Sequence, residues 1–123
     1  MPKRPSPTKR RAQVGGLLWV RSIHDQRAPD ELGGQTVEEQ ERLVREQMER
    51  DHRSPDRMLY RIGPAAVDSN DLLEILLGIL EQTRIQHVFV AGAIYAQCSE
   101  DELMEHRYVL LRHGFMLTIC DDE

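Results

Sequence analysis

The chain has 123 residues, of which 40% are hydrophobic and 30% are charged, and its formal net charge is −5. This length suits one domain with a single core, and no apolar run approaches the ~18 residues that a membrane-spanning helix needs. Two cysteines, Cys98 and Cys120, are too few for a disulfide framework. We therefore expect a cytoplasmic protein without membrane association, in which both thiols serve as small apolar side chains.

The first 13 residues differ in composition from the rest of the chain. They contain five basic and no acidic residues. Because all 21 acidic residues lie elsewhere, the remaining chain carries a net charge of −10. Three prolines interrupt this segment, which argues against a signal peptide and predicts a disordered arm over residues 1–13, followed by a single α/β domain over residues 14–123. The basic residues are candidates for contact with nucleic-acid phosphates: Lys3, Arg4, Lys9, Arg10 and Arg11. The alternative is a solvated, solubilising tail.

The first half of this domain predicts a strand, a helix and a second strand. A short apolar run followed by polar residues is typical of a buried parallel strand, and a threonine three residues before a glutamate is typical of a capping box. In chain order, the predicted elements are a flexible lead-in at Gly15-Gly16, a strand over Leu17–Arg21, a loop over Ser22–Gln35, a helix from Thr36 to about His52 with Glu39 completing its capping box, and a strand over Met58–Ile62.

The second half predicts two more helices and two more strands. In chain order, these are a helix from Asn70 to about Thr83 capped by Asp68 or Ser69, a strand over Gln86–Ala91, a loop over Gly92–Cys98, a helix from a Ser99–Glu102 capping box to about His113 with Gly114 as its left-handed stop, and a strand over Phe115–Cys120. On the last helix we expect four core residues: Leu103, Tyr108, Leu110 and Leu111. Regular alternation of strands and helices predicts a parallel sheet covered on both faces.

One stretch of the chain carries a chemical signal. The order Trp19-Val20-Arg21-Ser22, with Gln26 four residues later, precedes Gly34-Gln-Thr-Val-Glu-Glu-Gln at the start of a helix. This order resembles the beginning of the serine recombinase (resolvase/invertase) catalytic domain, whose first strand carries an aromatic-x-Arg-x-Ser-x-x-x-Gln signature. The resemblance implies a doubly wound sheet with strands in the order 2-1-3-4 and an active site at their carboxyl ends. It also implies a reaction in which the serine hydroxyl attacks a DNA phosphate, with Arg21, Ser22 and Gln26 as the matching catalytic residues.

The chain departs from that family in its chemistry. Family members have one residue between the arginine and the serine, whereas Arg21 and Ser22 are adjacent, and a shift of one residue turns a strand side chain to the opposite face. Tyr95 and Cys98 occupy positions where the family has arginines, and residues 63–71 contain no arginine. Because losing one donor to a developing phosphate charge slows a reaction ~10²–10³-fold, we expect a catalytically degenerate relative.

Two other groupings are interpreted as structural. Ser22, His24 and Asp25 are neighbours in one loop, where hydrogen bonds to the loop backbone are favoured over a catalytic triad. His106 and His113, with Cys98 upstream, lack the tight spacing of metal ligands, so we expect surface histidines and predict no metal and no cofactor.

Three functional hypotheses follow. The favoured one is a non-catalytic interaction or regulatory module, associated with DNA through its basic arm and with a protein partner or a second copy of itself. The second is an active recombinase that uses Ser22 for DNA strand exchange. The third is an unrelated small α/β protein that binds a small ligand.

Overall fold

A computed structural model describes residues 13–21, 36–63, 69–96 and 98–121. Strands and helices alternate along these segments, as the apolar pattern predicts. The strands are β1 (Val14–Arg21), β2 (Arg57–Gly63), β3 (His87–Ala91) and β4 (Met116–Cys120). The helices are α1 (Val37–Arg50), α2 (Ser69–Thr83) and α3 (Glu100–Arg112), and a single 3₁₀ turn over Gly92–Tyr95 follows β3.

The four strands form one parallel sheet in the order β2-β1-β3-β4. The inner strand β1 pairs with both β2 and β3, so that Gly16 lies between Met58 and Phe89, and β4 forms the edge beside β3. The expected doubly wound parallel sheet in the order 2-1-3-4 is confirmed. In such a sheet the carboxyl ends of all strands meet at one edge, where ligands of this architecture usually bind.

Helices cover both faces of the sheet, which gives three layers. Alternate residues of β1 and β3 point to opposite faces: Leu18 and Phe89 pack beneath α1, whereas Leu17 and Val88 pack beneath α2 and α3. The core on the α1 face comprises Val14, Leu18, Leu43, Val44, Met48, Phe89, Ala91 and Cys120. The core on the opposite face comprises Leu17, Leu72, Leu76, Leu80, Ile85, Val88, Val90, Tyr95, Leu110, Phe115 and Leu117. Burial on both faces explains why the inner strands β1 and β3 are nearly continuous apolar runs.

The glycines at the start of β1 are part of the sheet. Gly15 and Gly16 pair with Arg57 and Met58 of β2, so the expectation of a flexible lead-in is wrong. A Cβ at Gly16 would lie 2.9 Å from the Val44 Cγ1 atom of α1. The glycine therefore lets α1 approach β1 closely. From composition alone, the Gly15-Gly16 pair predicts flexibility instead.

The helix ends largely follow their sequence signals. Ser99 and Glu102 form the reciprocal capping box of α3, and Gly114 has a φ of +87° after the helix, both as predicted. At α1, the Thr36 hydroxyl accepts a hydrogen bond from the Glu39 N–H at 3.2 Å. The predicted stop of α2 lacks a glycine, and Arg84 takes a φ of +60° there instead.

Helix α3 differs from expectation in the face that it buries. Leu110 is fully buried, but Tyr108 and Leu111 are 62% and 64% exposed, so their assignment to the core is wrong. The helix packs against β4 and α2 through its Leu103–His106–Leu110 face. Tyr108 and Leu111 lie on the opposite face, which no other described element covers.

Candidate functional site

The residues implied by the recombinase resemblance fall largely outside the described part of the chain. Arg21 is the last residue of β1 and pairs with Gly63 of β2; its main chain alone is described. Ser22 and Gln26 lie outside the described residues, as do the basic residues of the arm: Lys3, Arg4, Lys9, Arg10 and Arg11. Their predicted roles therefore stay predictions.

A buried polar cluster lies near the carboxyl ends of the strands. His106 of α3 is 1% exposed and uses both ring nitrogens. Its Nε2 atom lies 2.7 Å from the hydroxyl of Ser69, the first residue of α2. Its Nδ1 atom lies 2.9 Å from the hydroxyl of Tyr95, at the end of the turn that follows β3. The imidazole thus links three segments that are far apart in sequence.

Burial determines the charge state of this cluster. It lowers the pKa of His106, and the nearby Glu105 and Glu102 carboxylates oppose this effect without reversing it. Burial also raises the pKa of Tyr95 well above its ordinary range. The imidazole is therefore neutral and the phenol protonated near neutral pH. A neutral imidazole has one N–H donor and one nitrogen acceptor, and the two hydroxyls can complement either tautomer.

Two further groups surround the Ser69 hydroxyl. Burial raises the pKa of Cys98, while hydrogen bonding to Ser69 acts in the opposite direction. The pKa of Glu102 is lowered, first by the Ser99 backbone N–H of the capping box and, more weakly, by hydrogen bonding to Ser69. Ser69 therefore joins the N-terminus of α2 to the middle of α3 through its hydrogen bond with His106.

This arrangement resembles a nucleophile, base and orienting group, but its chemistry is different. In a catalytic triad, a carboxylate on the far imidazole nitrogen stabilises the imidazolium that forms when the serine loses its proton. Here that position holds the protonated phenol of Tyr95, and the buried site disfavours a charged His106. We interpret the cluster as a hydrogen-bonded link that holds α2, α3 and the turn after β3 in register.

A carboxylate also lies at this edge of the sheet. Asp121 directly follows β4, and a Cβ at Gly92, directly after β3, would collide with the Asp121 carboxylate. The side chain therefore lies over the end of β3. A negative charge at this position repels the phosphate that the recombinase chemistry would hold between strand ends.

Sequence reasoning missed the polar cluster because His106 was expected at the surface. The buried position contradicts that expectation, whereas His113 is exposed as predicted. A signal was present: His106 lies three residues after Leu103 and four before Leu110, on the helical face that these leucines share. The family resemblance assigns Tyr95 only to the position of an arginine, whereas its side chain is 6% exposed and lies within the core.

Two further features bear on ligand binding and on metal binding. An open groove of about 320 Å³ lies between β2 and α2, lined by residues that include Leu59, Arg61 and Ile79. It is shallow and away from the carboxyl ends of the strands. Over the described residues, no group of three His, Cys, Asp or Glu side chains is arranged to hold a metal ion.

An exposed apolar stripe runs along α3. Met104, Tyr108 and Leu111 are 67%, 62% and 64% exposed, and their spacing of four and three residues places them on one side of the helix. The guanidinium of Arg112 lies 5.8 Å from the centre of the Tyr108 ring. Three large apolar side chains are therefore aligned on one exposed face of α3.

Comparisons of the chain with protein-family models, with curated proteins and with solved structures found no match. The recombinase resemblance therefore remains an expectation from the residues quoted for it. Within the described segments, none of the helices combines the length and apolarity needed to cross a membrane.

Proposed function

We propose that this chain is a non-catalytic interaction module built on a doubly wound α/β scaffold. The observation that carries the proposal is the stripe formed by Met104, Tyr108 and Leu111 on α3. Other large apolar side chains on the surface, such as Tyr60 and Met116, lie on separate strands. Among the described residues, only the stripe repeats over two turns of one helix, as an interface for another protein would.

Two features support the non-catalytic part of the proposal. The Asp121 carboxylate lies over the end of β3, and the Ser69 hydroxyl is already bonded to the neutral, buried His106. The first disfavours a bound phosphate, and the second leaves the hydroxyl engaged within the protein. The DNA-association part rests on the sequence of residues 1–13 alone, whose five positive charges would contact backbone phosphates without reading sequence.

The interaction part is tested by removing the stripe. A variant carrying Met104→Ser, Tyr108→Ser and Leu111→Ser is compared with wild type and with a control, Tyr60→Ser/Met116→Ser, which removes exposed apolar side chains elsewhere. Sedimentation velocity measures self-association, and affinity purification with quantitative mass spectrometry measures binding to other proteins. A complex of fixed stoichiometry, of the chain with itself or another protein, should be lost in the stripe variant and kept in the control. If wild type forms no such complex, or the stripe variant keeps it, the proposal fails.

The DNA and catalytic parts need separate measurements. Binding of the full chain to duplex DNA should weaken as salt rises, with a slope of up to about −4.5 in log K against log salt if all five basic residues engage phosphates. Deleting residues 1–13 should abolish that binding, and unchanged binding would refute the role of the arm. Incubation with supercoiled DNA should give no covalent adduct; an adduct that Ser22→Ala abolishes would establish the recombinase alternative instead.

A further inference from the structure

We infer that the partner of this stripe is a second copy of the chain, bound by antiparallel packing of α3 against α3 about a two-fold axis near Tyr108. The inference rests on the proposed function for the stripe and adds the identity of the partner. An interface of this symmetry must be self-complementary, because both copies present the same surface. Helix α3 meets this requirement in its shape and in its charge.

The apolar stripe is nearly symmetric about its own centre. Met104 and Leu111 lie at its two ends, one turn of helix on either side of its midpoint, and Tyr108 lies close to that midpoint. When two such helices pack antiparallel, Met104 of one copy faces Leu111 of the other, and the two Tyr108 rings meet near the axis. Each copy thereby covers side chains that are 62–67% exposed in the single chain.

The charges beside the stripe change sign along the helix. Glu100, Asp101 and Glu105 lie in the first half of α3, and Arg107 and Arg112 lie in the second half; all five are exposed. With 3.6 residues per turn, Asp101, Glu105 and Arg112 project on the same side of the stripe. In the antiparallel pair, Arg112 of one copy comes level with the gap between Asp101 and Glu105 of the other. Two such opposite-charge contacts form across the axis.

A parallel pair is disfavoured by the same residues. It would place Glu100 beside Glu105 of the other copy and Arg107 beside Arg112, so that like charges meet at both ends. In the antiparallel pair the two copies of Arg107 approach each other only at the solvent-exposed rim, where water and salt screen their repulsion. The acidic first half of the helix also argues against an anionic lipid surface as the partner.

Complementary charge reversals test this geometry with the full chain. Arg112→Glu should place like charges against Asp101 and Glu105 of the other copy, and Asp101→Lys/Glu105→Lys should do the same from the other side. Each variant alone should weaken self-association at least about 10-fold by sedimentation equilibrium. An equimolar mixture of the two should recover association to within about threefold of wild type, because position 112 of each copy then faces opposite charges at positions 101 and 105 of the other.

The matched control is Arg50→Glu, because Arg50 is the last residue of α1 as Arg112 is the last of α3, and α1 covers the other face of the sheet. This control should leave self-association unchanged, and circular dichroism should show that all variants fold. A wild-type chain that stays monomeric, a dimer that Arg112→Glu does not weaken, or a mixture that does not recover would overturn the inference. The wild-type chain could instead be monomeric and form a complex with another protein that the stripe variant loses. In that case the inference falls while the proposed function stands.

Discussion

The imidazole of His106 and the phenol of Tyr95 face each other across the boundary between α3 and the turn after β3, with 2.9 Å between Nδ1 and the hydroxyl oxygen. Both side chains are buried, at 1% and 6% exposure. This contact joins the turn after β3 to α3, the helix that carries the apolar stripe. The position of the stripe therefore depends on a polar contact in the core.

Replacing Tyr95 with phenylalanine should destabilise the fold. The change keeps the ring but leaves the buried His106 Nδ1 atom without its partner, which costs about 1–3 kcal/mol of unfolding free energy. Urea denaturation followed by circular dichroism measures the difference. The control is Tyr60→Phe, which removes an exposed hydroxyl that donates to the Glu41 carboxylate at 2.9 Å and should have little effect. Equal losses of unfolding free energy in the two variants would show that the buried contact contributes no more to stability than the exposed one.

Acid should destabilise the protein through its buried histidines. Burial lowers the pKa of both His106 and His87 from the ordinary value of 6.5, so below that pH the unfolded chain binds more protons than the native one. Stability from these neutral histidines is fully present above pH 6.5 and is lost as the pH falls through their folded pKa values. The unfolding free energy should thus decrease from pH 7 toward pH 5.

Substitution by a neutral residue tests this assignment. His106→Gln or His87→Gln should each flatten the pH dependence between pH 7 and pH 5, since glutamine does not titrate. A wild-type slope that survives both buried substitutions would place its origin elsewhere.

The layered architecture follows from the sequence because its signals are local. Short apolar runs bounded by polar residues predict most of the strands. Leu72, Leu76 and Leu80 of α2 recur at helical spacing, and all three are buried. The capping box at Ser99 and Glu102 likewise depends on neighbours in sequence. The strand order came from a resemblance to a family, and the structure confirms that order without testing the family.

The wrong core assignments on α3 and the missed polar cluster have a different cause: both depend on tertiary structure. Helix α3 has apolar side chains on two opposite faces, Leu103 and Leu110 on one and Met104, Tyr108 and Leu111 on the other. Periodicity alone does not decide which of two such faces meets the sheet. The polar cluster was missed because Ser69, Tyr95 and His106 belong to three elements that only the tertiary arrangement brings together.

The two cysteines should react slowly with alkylating reagents. Burial raises the pKa of Cys120 to about 12 and also raises that of Cys98, and the thiolate is the reactive form. At pH 8, iodoacetamide should modify both in the native protein at least about 10-fold more slowly than in denaturant. Mass spectrometry of wild type and Cys98→Ser follows each site separately. Native labelling of Cys120 as fast as in denaturant would contradict its buried position.

Two glycine-to-alanine substitutions should change stability in opposite directions. At Gly16 the new Cβ would lie 2.8 Å from the Met58 sulfur and 2.9 Å from Val44 Cγ1. The methionine can move aside, but the valine is fixed on α1, so we expect a loss of about 1–3 kcal/mol. At Gly78, an exposed position within α2, nothing lies within 4 Å of the new atom, and alanine should stabilise the helix by about 0.5–1 kcal/mol. The same chemical change thus separates a glycine required for close packing from one that only weakens a helix. Thermal and urea unfolding measure both, and a neutral Gly16→Ala would mean that α1 can withdraw from β1 without loss.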